Sequence, residues 1–270
     1  MRTANAGMKA EKPPRLMTEE RRREIVSLLQ RQGRVTVDDM TRRFGVSAVT
    51  ARGDLDALSV SGALVRSHGG AVPPLNPAEE YPLAIKESLH QEEKARIARA
   101  AVQLIRPGQT IILDAGTTSA QVALQIKKTK IASLTVITHA LNIALRLADA
   151  PEVSLIFVGG IMRPVSTSCV GPQAEQMIRD LHADHFFLSV DGLDPETGLS
   201  TPDILEARLN ALMIKAARET SVISDASKLG RRSLSLIAGL ASVRRVITDN
   251  RATRPMAASI RAAGVDLVLV

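Results

Sequence analysis

The residues that most constrain this chain are 44–58, where a glycine turn precedes a short segment with helical periodicity. Gly45 suits the end of one helix, where a left-handed backbone is common, and Ser47 suits the N-cap of the next. Apolar residues recur at the spacing i, i+4 and i+7, which predicts a helix with one buried face: Ala51, Leu55 and Leu58. The segment therefore predicts two helices joined by a tight turn.

The opposite face of the second predicted helix is small, polar and basic. It carries Ser47 and Val49 at its start, followed by Thr50 and Arg52. Such a face is typical of a helix whose N-terminal end enters the DNA major groove. There Arg bonds guanine edges, and Thr contacts a base edge or a thymine methyl group. The spacing alone fits an ordinary surface helix in a helical hairpin equally well.

The flanking residues favour the DNA-binding interpretation. Residues 18–32 and 37–44 have helical apolar periodicity, and residues 62–72 predict two short strands around a basic tip, which is the wing of a winged helix-turn-helix. We expect Arg66 and His68 in this wing to lie near phosphate or the minor groove. Five other arginines are expected to be solvated or to face phosphate, and so to set affinity and not sequence choice: Arg21, Arg22, Arg23, Arg42 and Arg43.

The positive charge of the chain is concentrated at its N-terminal end. The 270 residues carry a formal net charge of +7. Residues 1–72 hold 13 Lys and Arg against 8 Asp and Glu, so +5 of that charge falls in this part. A basic balance favours a polyanionic partner. Aromatic residues make up only 2% of the chain, which argues against binding single strands by base stacking.

Composition divides the chain into four parts. Residues 1–17 are polar and are predicted to form a flexible tail. Residues 18–72 are the predicted winged helix-turn-helix, and a Pro-rich linker is predicted over 73–82. Residues 83–270 form a second predicted domain, which is long enough to bury its own core.

In this second domain, short apolar runs alternate with helical ones. Seven runs predict the strands of a mostly parallel sheet covered on both faces: 110–113, 134–138, 154–158, 185–190, 220–224, 245–248 and 266–270. Helices are predicted around them over 87–105, 118–127, 142–148, 172–181, 204–218 and 255–263. Ligands of such α/β sheets bind beyond the C-terminal ends of the strands. Polar residues at those ends are therefore candidates for one shared pocket.

The first predicted strand is followed by Asp114 and then by Gly116, Thr117, Thr118 and Ser119 at the start of a helix. Gly116 lets the backbone approach a ligand, and the amides and hydroxyls of the helix start predict an anion site. Phosphate binding is the favoured interpretation. A plain capping turn has the same pattern.

Two further strand ends offer groups for the same pocket. Gly159 and Gly160 end one strand and, with Arg163, could hold a polar group through backbone amides and a cation. His139 ends another strand. It is as consistent with a hydrogen-bonded histidine behind the pocket as with a ligand contact.

Acidic residues and a lysine complete the predicted pocket. Asp191 and Asp194 lie three apart on a turn, where they could hold sugar hydroxyls, share a proton or simply cap the turn. Glu206 on the following helix could face the same cleft or solvent. Lys228 could meet a phosphate as a point charge. Polar groups at so many strand ends favour one shared pocket over separate coincidences.

Several other classes of site are disfavoured. Cys169 is the only cysteine, which excludes an intrachain disulfide and a cysteine-based zinc cluster. The five histidines lack metal-ligand spacing, and the chain has no nucleophile elbow or Walker loop, so we expect no metal and no cofactor. Residues 1–16 lack the apolar core of a secretory signal, and no run is apolar enough to span a bilayer. We therefore expect a cytoplasmic, nucleoid-associated protein.

The motifs of both halves together resemble those of the DeoR/GlpR family of bacterial transcription regulators. The N-terminal likeness lies in VSAVTARGDL at 46–55 and LVRSHGGA at 64–71. The likeness in the second domain lies in LDAGTT at 113–118, TVIT at 135–138, VGG at 158–160, DG at 191–192 and DASK at 225–228. No single motif is decisive, but their joint order is specific and runs from Thr18 to Asp249. Residues 189–202 look most like the amino-sugar, AgaR-type branch.

The resemblance implies a winged helix-turn-helix joined to a Rossmann-like α/β sensor related to ribose-5-phosphate isomerase and glucosamine-6-phosphate deaminase. It implies a homodimer or homotetramer that represses sugar or amino-sugar genes from double-stranded operator DNA and is released by a phosphorylated sugar. Two departures from the family pattern bear on function. Gly53 stands where the family commonly has Arg, in Ile-Arg-Arg-Asp-Leu, and His139 stands where Asn is common, which bear on operator preference and effector choice.

Two alternatives remain at this point. The first is a sugar-phosphate isomerase or deaminase with a fused DNA-binding module, because Asp191, Asp194 and Lys228 resemble isomerase positions. Against it, residues 199–202 stand where that isomerase has a lysine-glycine segment. The second is a DNA-binding protein whose second domain only forms oligomers.

Overall fold

The structure, a computed structural model, describes residues 16–74 and 80–270. Most of the predicted tail over 1–17 and the middle of the predicted linker over 73–82 lie outside the described residues. The chain divides into two units, Met1–Leu75 and Asn76–Val270. Each unit has its own hydrophobic core.

The N-terminal unit is a winged helix-turn-helix, which confirms the predicted fold. Strands β2 and β3 pair antiparallel as the wing, and β1 pairs with the other side of β3. Strand β1 was not predicted, because two residues are too few to show a periodicity. In chain order the elements are α1 (Thr18–Gln32), β1 (Val35–Thr36), α2 (Val37–Phe44), α3 (Ala48–Val60), β2 (Val65–Ser67) and β3 (Gly70–Val72).

Capping residues define the turn between α2 and α3. Gly45 ends α2 in the left-handed region at φ 63°, a conformation that glycine adopts without steric cost. The Ser47 hydroxyl accepts a hydrogen bond from the Thr50 N–H at 3.1 Å and so caps α3. Ala51 and Leu55 are fully buried, as their spacing predicts. Helix α3 is therefore fixed by one face, and its other face is left to solvent.

A buried ion pair joins α1 to α3 and corrects one expectation. The Arg21 Nε lies 2.6 Å from a carboxylate oxygen of Asp54, and the Arg22 Nε lies 3.1 Å from the other. Arg21 and Asp54 are both buried. Arg21 was expected to be solvated or to face phosphate, and that expectation is wrong. Asp54 lies 33 residues further along the chain, so no local pattern indicates the pairing.

The second unit is built on a seven-stranded sheet in which every pairing is parallel. The strands of this unit are β4 (Thr110–Leu113), β5 (Leu134–Thr138), β6 (Val153–Phe157), β7 (Ile161–Arg163), β8 (Ser168–Val170), β9 (Ala183–Leu188), β10 (Gly192–Asp194), β11 (Gly198–Thr201), β12 (Ala217–Ile223), β13 (Ser235–Ala238), β14 (Arg245–Thr248) and β15 (Asp266–Leu269). The large sheet has the order β15-β14-β12-β9-β4-β5-β6. Its strands are the seven predicted ones, with ends shifted by up to three residues.

Helices cover both faces of this sheet. They are α4 (Leu83–Ser88), α5 (Gln91–Val102), α6 (Thr117–Thr129), α7 (Leu141–Leu147), α8 (Pro172–Arg179), α9 (Ile204–Ala216) and α10 (Arg254–Ala262). Successive strand residues alternate between the faces. Phe186 packs in the core with α8, α9 and α10, whereas Phe187 packs in the core with α5, α6 and α7. Both faces of the sheet are therefore covered by helices, which explains the apolar runs in its strands. No helix of the described residues could cross a membrane.

Some short elements differ from the prediction. The single helix predicted over 87–105 is two helices, because His90 adopts the left-handed conformation at φ 51° and separates α4 from α5. Strands β7 and β8 form a hairpin, and β10, β11 and β13 form a small antiparallel sheet. These strands have three or four residues each and lie outside the large sheet, and none of them was predicted.

Candidate functional sites

The exposed face of α3 carries the predicted DNA-contacting residues. Val49 is 77% exposed, and Thr50 and Arg52 are also exposed. The Ser47 hydroxyl is occupied by the cap and by the Thr50 hydroxyl at 2.9 Å, so its first role is structural. The face therefore offers one cation, one hydroxyl and one apolar side chain, which are groups that read base edges.

The wing is tied to α3 by Arg66. Its Nε lies 2.9 Å from Asp56 on the exposed side of α3, and its guanidinium also donates to the Gly70 carbonyl at 2.8 Å. Arg66 therefore neutralises the acidic residue nearest the predicted reading face and fixes the wing. His68 lies exposed at the wing turn.

In the second unit, the predicted anion loop lies between β4 and α6. Gly116 has φ 115°, and a Cβ there would lie 3.2 Å from the Ser189 Cβ, so this position requires glycine. Helix α6 begins at Thr117 without a side-chain cap. The amides of its first turn are therefore open to an anion. Thr117 and Thr118 supply the hydroxyls.

Three other predicted contacts lie buried behind this loop and support it. Ser119 is fully buried and shares a hydrogen bond with Ser189 at 2.8 Å. The Asp114 carboxylate accepts from the Ala115 and Ser189 amides at 2.7 and 3.0 Å. His139 lies 3.1 Å from the same carboxylate. The loops after β4, β5 and β9 are thus bonded together, as their adjacency in the sheet requires.

The His139 ring and Asp114 form a buried contact. The ring Nδ1 faces the Cys169 carbonyl oxygen at 2.8 Å, and because a carbonyl can only accept, Nδ1 carries a hydrogen. The Ala115 amide donates to both groups, to Nε2 at 3.2 Å and to the Asp114 carboxylate at 2.7 Å. Burial alone would lower the pKa of His139, but the hydrogen bond and negative charge of Asp114 raise it. This pair is a support for the anion loop, with both groups shielded from solvent.

Lysines gather around Asp191 at the next strand ends. The Asp191 carboxylate lies 2.9 Å from the Lys86 ammonium and 3.3 Å from the Lys228 ammonium. Burial would raise the pKa of Asp191, but the two lysines hold it below its usual value. Lys228 follows Asp225 at the end of β12, and β12 is the neighbour of β9. The structure therefore brings Asp191 and Lys228 together, as predicted.

Sequence reasoning missed two lysines of this cluster. Lys86 comes from α4, and Lys94 comes from α5, where it is 5% exposed. The Lys94 ammonium donates to the carbonyls of Lys86 and Leu89. Burial lowers the pKa of Lys94 to about 8, opposed by the negative charge of Asp225. A signal was available for Lys94, because it continues the buried stripe that includes Ile97.

Arg163 and Glu206 contact each other, but Arg163 also pairs with two further carboxylates. The Arg163 guanidinium contacts Glu206, lies 2.6 Å from Glu80 and lies 3.2 Å from Asp203. Burial and the nearby charge of Asp114 raise the pKa of Glu206 to about 7, although Arg163 opposes this. Arg163 therefore balances a group of carboxylates at the rim of the cluster and is not a free cation.

Three predicted contacts are not drawn into the cluster. Asp194 accepts hydrogen bonds from the Glu196 and Thr197 amides at 3.0 and 2.9 Å, so it caps its turn. Gly160 packs on β8, where a Cβ would lie 2.5 Å from the Val170 carbonyl oxygen. Gly159 follows the edge strand β6, four positions from β12 and so roughly 19 Å across the sheet.

Comparison with known proteins agrees with both halves of this description. Residues 21–74 match the DeoR-like helix-turn-helix domain, and residues 89–250 match the DeoR C-terminal sensor domain. The chain is 39% identical over 256 residues, 94% of each chain, to an Escherichia coli O157:H7 protein named for repression of the aga operon. It is 30% identical over 230 residues, 85% of this chain and 90% of the other, to the glycerol-3-phosphate regulon repressor of Escherichia coli K12. A ribose 5-phosphate isomerase of Methanocaldococcus jannaschii aligns with 52% of this chain and 54% of its own at a TM-score of 0.38 and 19% identity.

Proposed function

The chain belongs to the DeoR family of transcriptional regulators, and we propose that it represses sugar catabolic genes until a phosphorylated sugar releases it from operator DNA. The relatives reported above are named as repressors of an aga operon and of a glycerol-3-phosphate regulon. We infer that the effector is of the same chemical kind, a small phosphorylated polyol or sugar. An amino sugar is the narrower expectation.

The cluster of lysines at the second site carries the effector half of the proposal. The ammonium groups of Lys86 and Lys228 share Asp191, and Lys94 lies buried nearby, where the charges of Asp225 and Glu87 act on it. A dianionic phosphate would pair with these ammonium groups, and the uncapped start of α6 offers it backbone amides. Asp191 would then bond sugar hydroxyls or an ammonium group. We propose Gly116, Thr117, Thr118, Asp191 and Lys228 as the contacts that sequence and structure both support.

The exposed face of α3 carries the DNA half. We propose that Thr50 and Arg52 contact base edges and that Val49 contacts a thymine methyl group. His68 and the wing would approach the backbone. One short helix reads few bases, so we propose a symmetric dimer or tetramer, which light scattering of the purified protein will measure.

Selection of bound duplexes from a random DNA library tests the DNA half. The full chain should enrich one sequence, and Arg52→Ala should weaken binding to it by about 1–3 kcal/mol while relaxing choice at one position. Arg42→Ala is the matched control, because this exposed arginine pairs with Asp39 on α2. Equal loss of sequence discrimination in both variants would contradict the assignment of Arg52.

Titration with phosphorylated sugars tests the effector half. The selected duplex should be released by at least one of glycerol 3-phosphate, ribose 5-phosphate, glucose 6-phosphate and glucosamine 6-phosphate. Binding that ignores all four would reject the sensor assignment. The same compounds serve as substrates in isomerase and deaminase assays, where we expect no turnover. Turnover abolished by Asp191→Ala would favour an enzyme instead.

A further inference from the structure

Residues 80–90, which we call the strap, lie across the strand ends of the second unit. Its contacts run along its length. Glu80 pairs with Arg163 at 2.6 Å, the Leu83 amide donates to the Val165 carbonyl at 2.9 Å, and Lys86 pairs with Asp191 at 2.9 Å. A fourth contact joins Glu87 to Arg146 at 2.5 Å. Two side chains of the strap reach the carboxylates of the effector site, because Lys86 pairs with Asp191 and the His90 Nε2 lies 3.9 Å from Asp225.

The first part of the strap is held by partly exposed ion pairs. The side chains of Glu80, Lys86 and Glu87 are 22%, 21% and 38% exposed. Ion pairs in contact with water contribute little to stability. The end of the strap is held more firmly, because the buried Lys94 ammonium donates to the carbonyls of Lys86 and Leu89. An additional interaction at the Lys86 side chain can therefore change how firmly the first part of the strap is held.

The second unit supplies a reason for Lys86 to respond to an anion. Its ammonium shares Asp191 with Lys228, and its backbone carbonyl is held by the buried Lys94 ammonium. The three ammonium groups lie close enough to repel one another, since besides burial the charges of Lys228 and Lys86 lower the pKa of Lys94. An anionic ligand beside Asp191 would give Lys86 a second negative partner. Lys86 is the lysine of the three that lies on the strap.

The strap also follows the DNA-binding unit directly in sequence. Strand β3 ends at Val72, and the strap begins at Glu80. The strap is thus close in sequence to the wing. A ligand shifts such an equilibrium only by binding one arrangement more tightly than another, and Lys86 provides that difference.

We propose that Lys86 is an effector-contacting residue and that the bound anion closes the strap through it, so that Lys86 couples effector binding to DNA release. This inference rests on the proposed function and deepens it by naming the residue that transmits occupancy. It predicts separate effects on ligand affinity, on strap motion and on DNA release.

Hydrogen exchange of the full chain measures strap motion directly. The probe is whichever of the four compounds above raises Tm most. If the strap opens only when the ligand has left, its amides should exchange up to about 100-fold more slowly at a ligand concentration of 100 Kd. Unchanged or faster exchange in the strap of a wild-type protein that binds the compound would overturn the proposal and leave the proposed function intact. Failure of all four compounds to bind would overturn both.

The Lys86→Met variant tests the contact with the effector and the coupling to DNA release separately. It should weaken binding of the compound about tenfold, as expected for one charge-assisted hydrogen bond. At equal saturation it should show no strap protection and no release of the selected duplex. Lys127→Met is the matched control, because Lys127 is paired with Asp149 on the last turn of α6, away from the strap. Equal affinity and equal DNA release in the two variants would refute the role of Lys86.

Discussion

Gly53 lies in the interior of α3, and replacing it should strengthen the helix that we assign to DNA reading. A Cβ built at Gly53 has no neighbour within 4 Å, and the residue has an ordinary helical backbone. The change to Ala therefore adds no clash and removes the conformational freedom of glycine in the unfolded chain. The expected gain is about 1 kcal/mol. Since a tenfold change corresponds to 1.4 kcal/mol, the amides of α3 should exchange about fivefold more slowly.

Gly45 provides the matched control for this experiment. It also has no neighbour within 4 Å of a built Cβ, but its φ of 63° is strained for alanine. Gly45→Ala should therefore speed exchange in α2 and α3, whereas Gly53→Ala slows it. Both are measured by hydrogen exchange on the full chain under native conditions. Faster exchange in Gly53→Ala would show that helix propensity does not govern α3 and would refute the reasoning.

Gly53 also separates stability from DNA affinity. Gly53→Arg adds a cation next to Arg52 on an exposed face. If that cation reaches a phosphate, the dependence of log affinity on log salt should steepen by about 0.9. Gly53→Ala should stabilise α3 without changing this slope. An equal slope in both variants would mean that position 53 does not face the DNA backbone.

Three further predictions concern burial, backbone and charge. Asp54→Ala should lower the free energy of unfolding, measured by urea titration, by about 3–5 kcal/mol, because it leaves Arg21 buried without its partner. The control Asp56→Ala removes an exposed ion pair and should change this free energy by less than about 1 kcal/mol. Gly116→Ala should lower Tm and abolish binding of the sugar phosphate, whereas Gly239→Ala, with open space and φ −66°, should alter neither. Because the pKa of Glu206 rises from 4.5 unfolded to about 7 folded, stability should fall by up to about 3 kcal/mol as pH rises from 4.5 to 7. A Glu206→Gln protein that keeps the same pH slope would contradict this.

The sequence predicted the parts of this molecule that depend on local patterns. The seven strands of the large sheet were found because each reads as a short apolar run bounded by polar residues. The turn at Gly45 and the cap at Ser47 were found because each acts on neighbouring residues. The short antiparallel strands β7, β8, β10, β11 and β13 of the second unit were missed.

Pairings between distant residues could not be predicted. Arg21 looks like any surface arginine until the chain brings Asp54 to it. Asp191 and Lys228 were predicted to share a pocket because both follow parallel strands, but Lys86 belongs to a helix before the sheet and follows no such rule. Asp194 was a candidate for the pocket but caps its own turn, because the nearby Glu196 and Thr197 amides donate to its carboxylate.

The order of strands in the large sheet has a consequence for synthesis of the protein. Strand β4 is made first and lies third from one edge; β5 and β6 then join on one side of it, and β9, β12, β14 and β15 join in turn on the other. Each new strand finds its neighbour already in place, and none has to be inserted between two strands that are already paired. The sheet can therefore grow while the ribosome is still working. Lys228 follows β12 and is synthesised after β4, β5 and β9, the strands whose loops support the turn at Gly116.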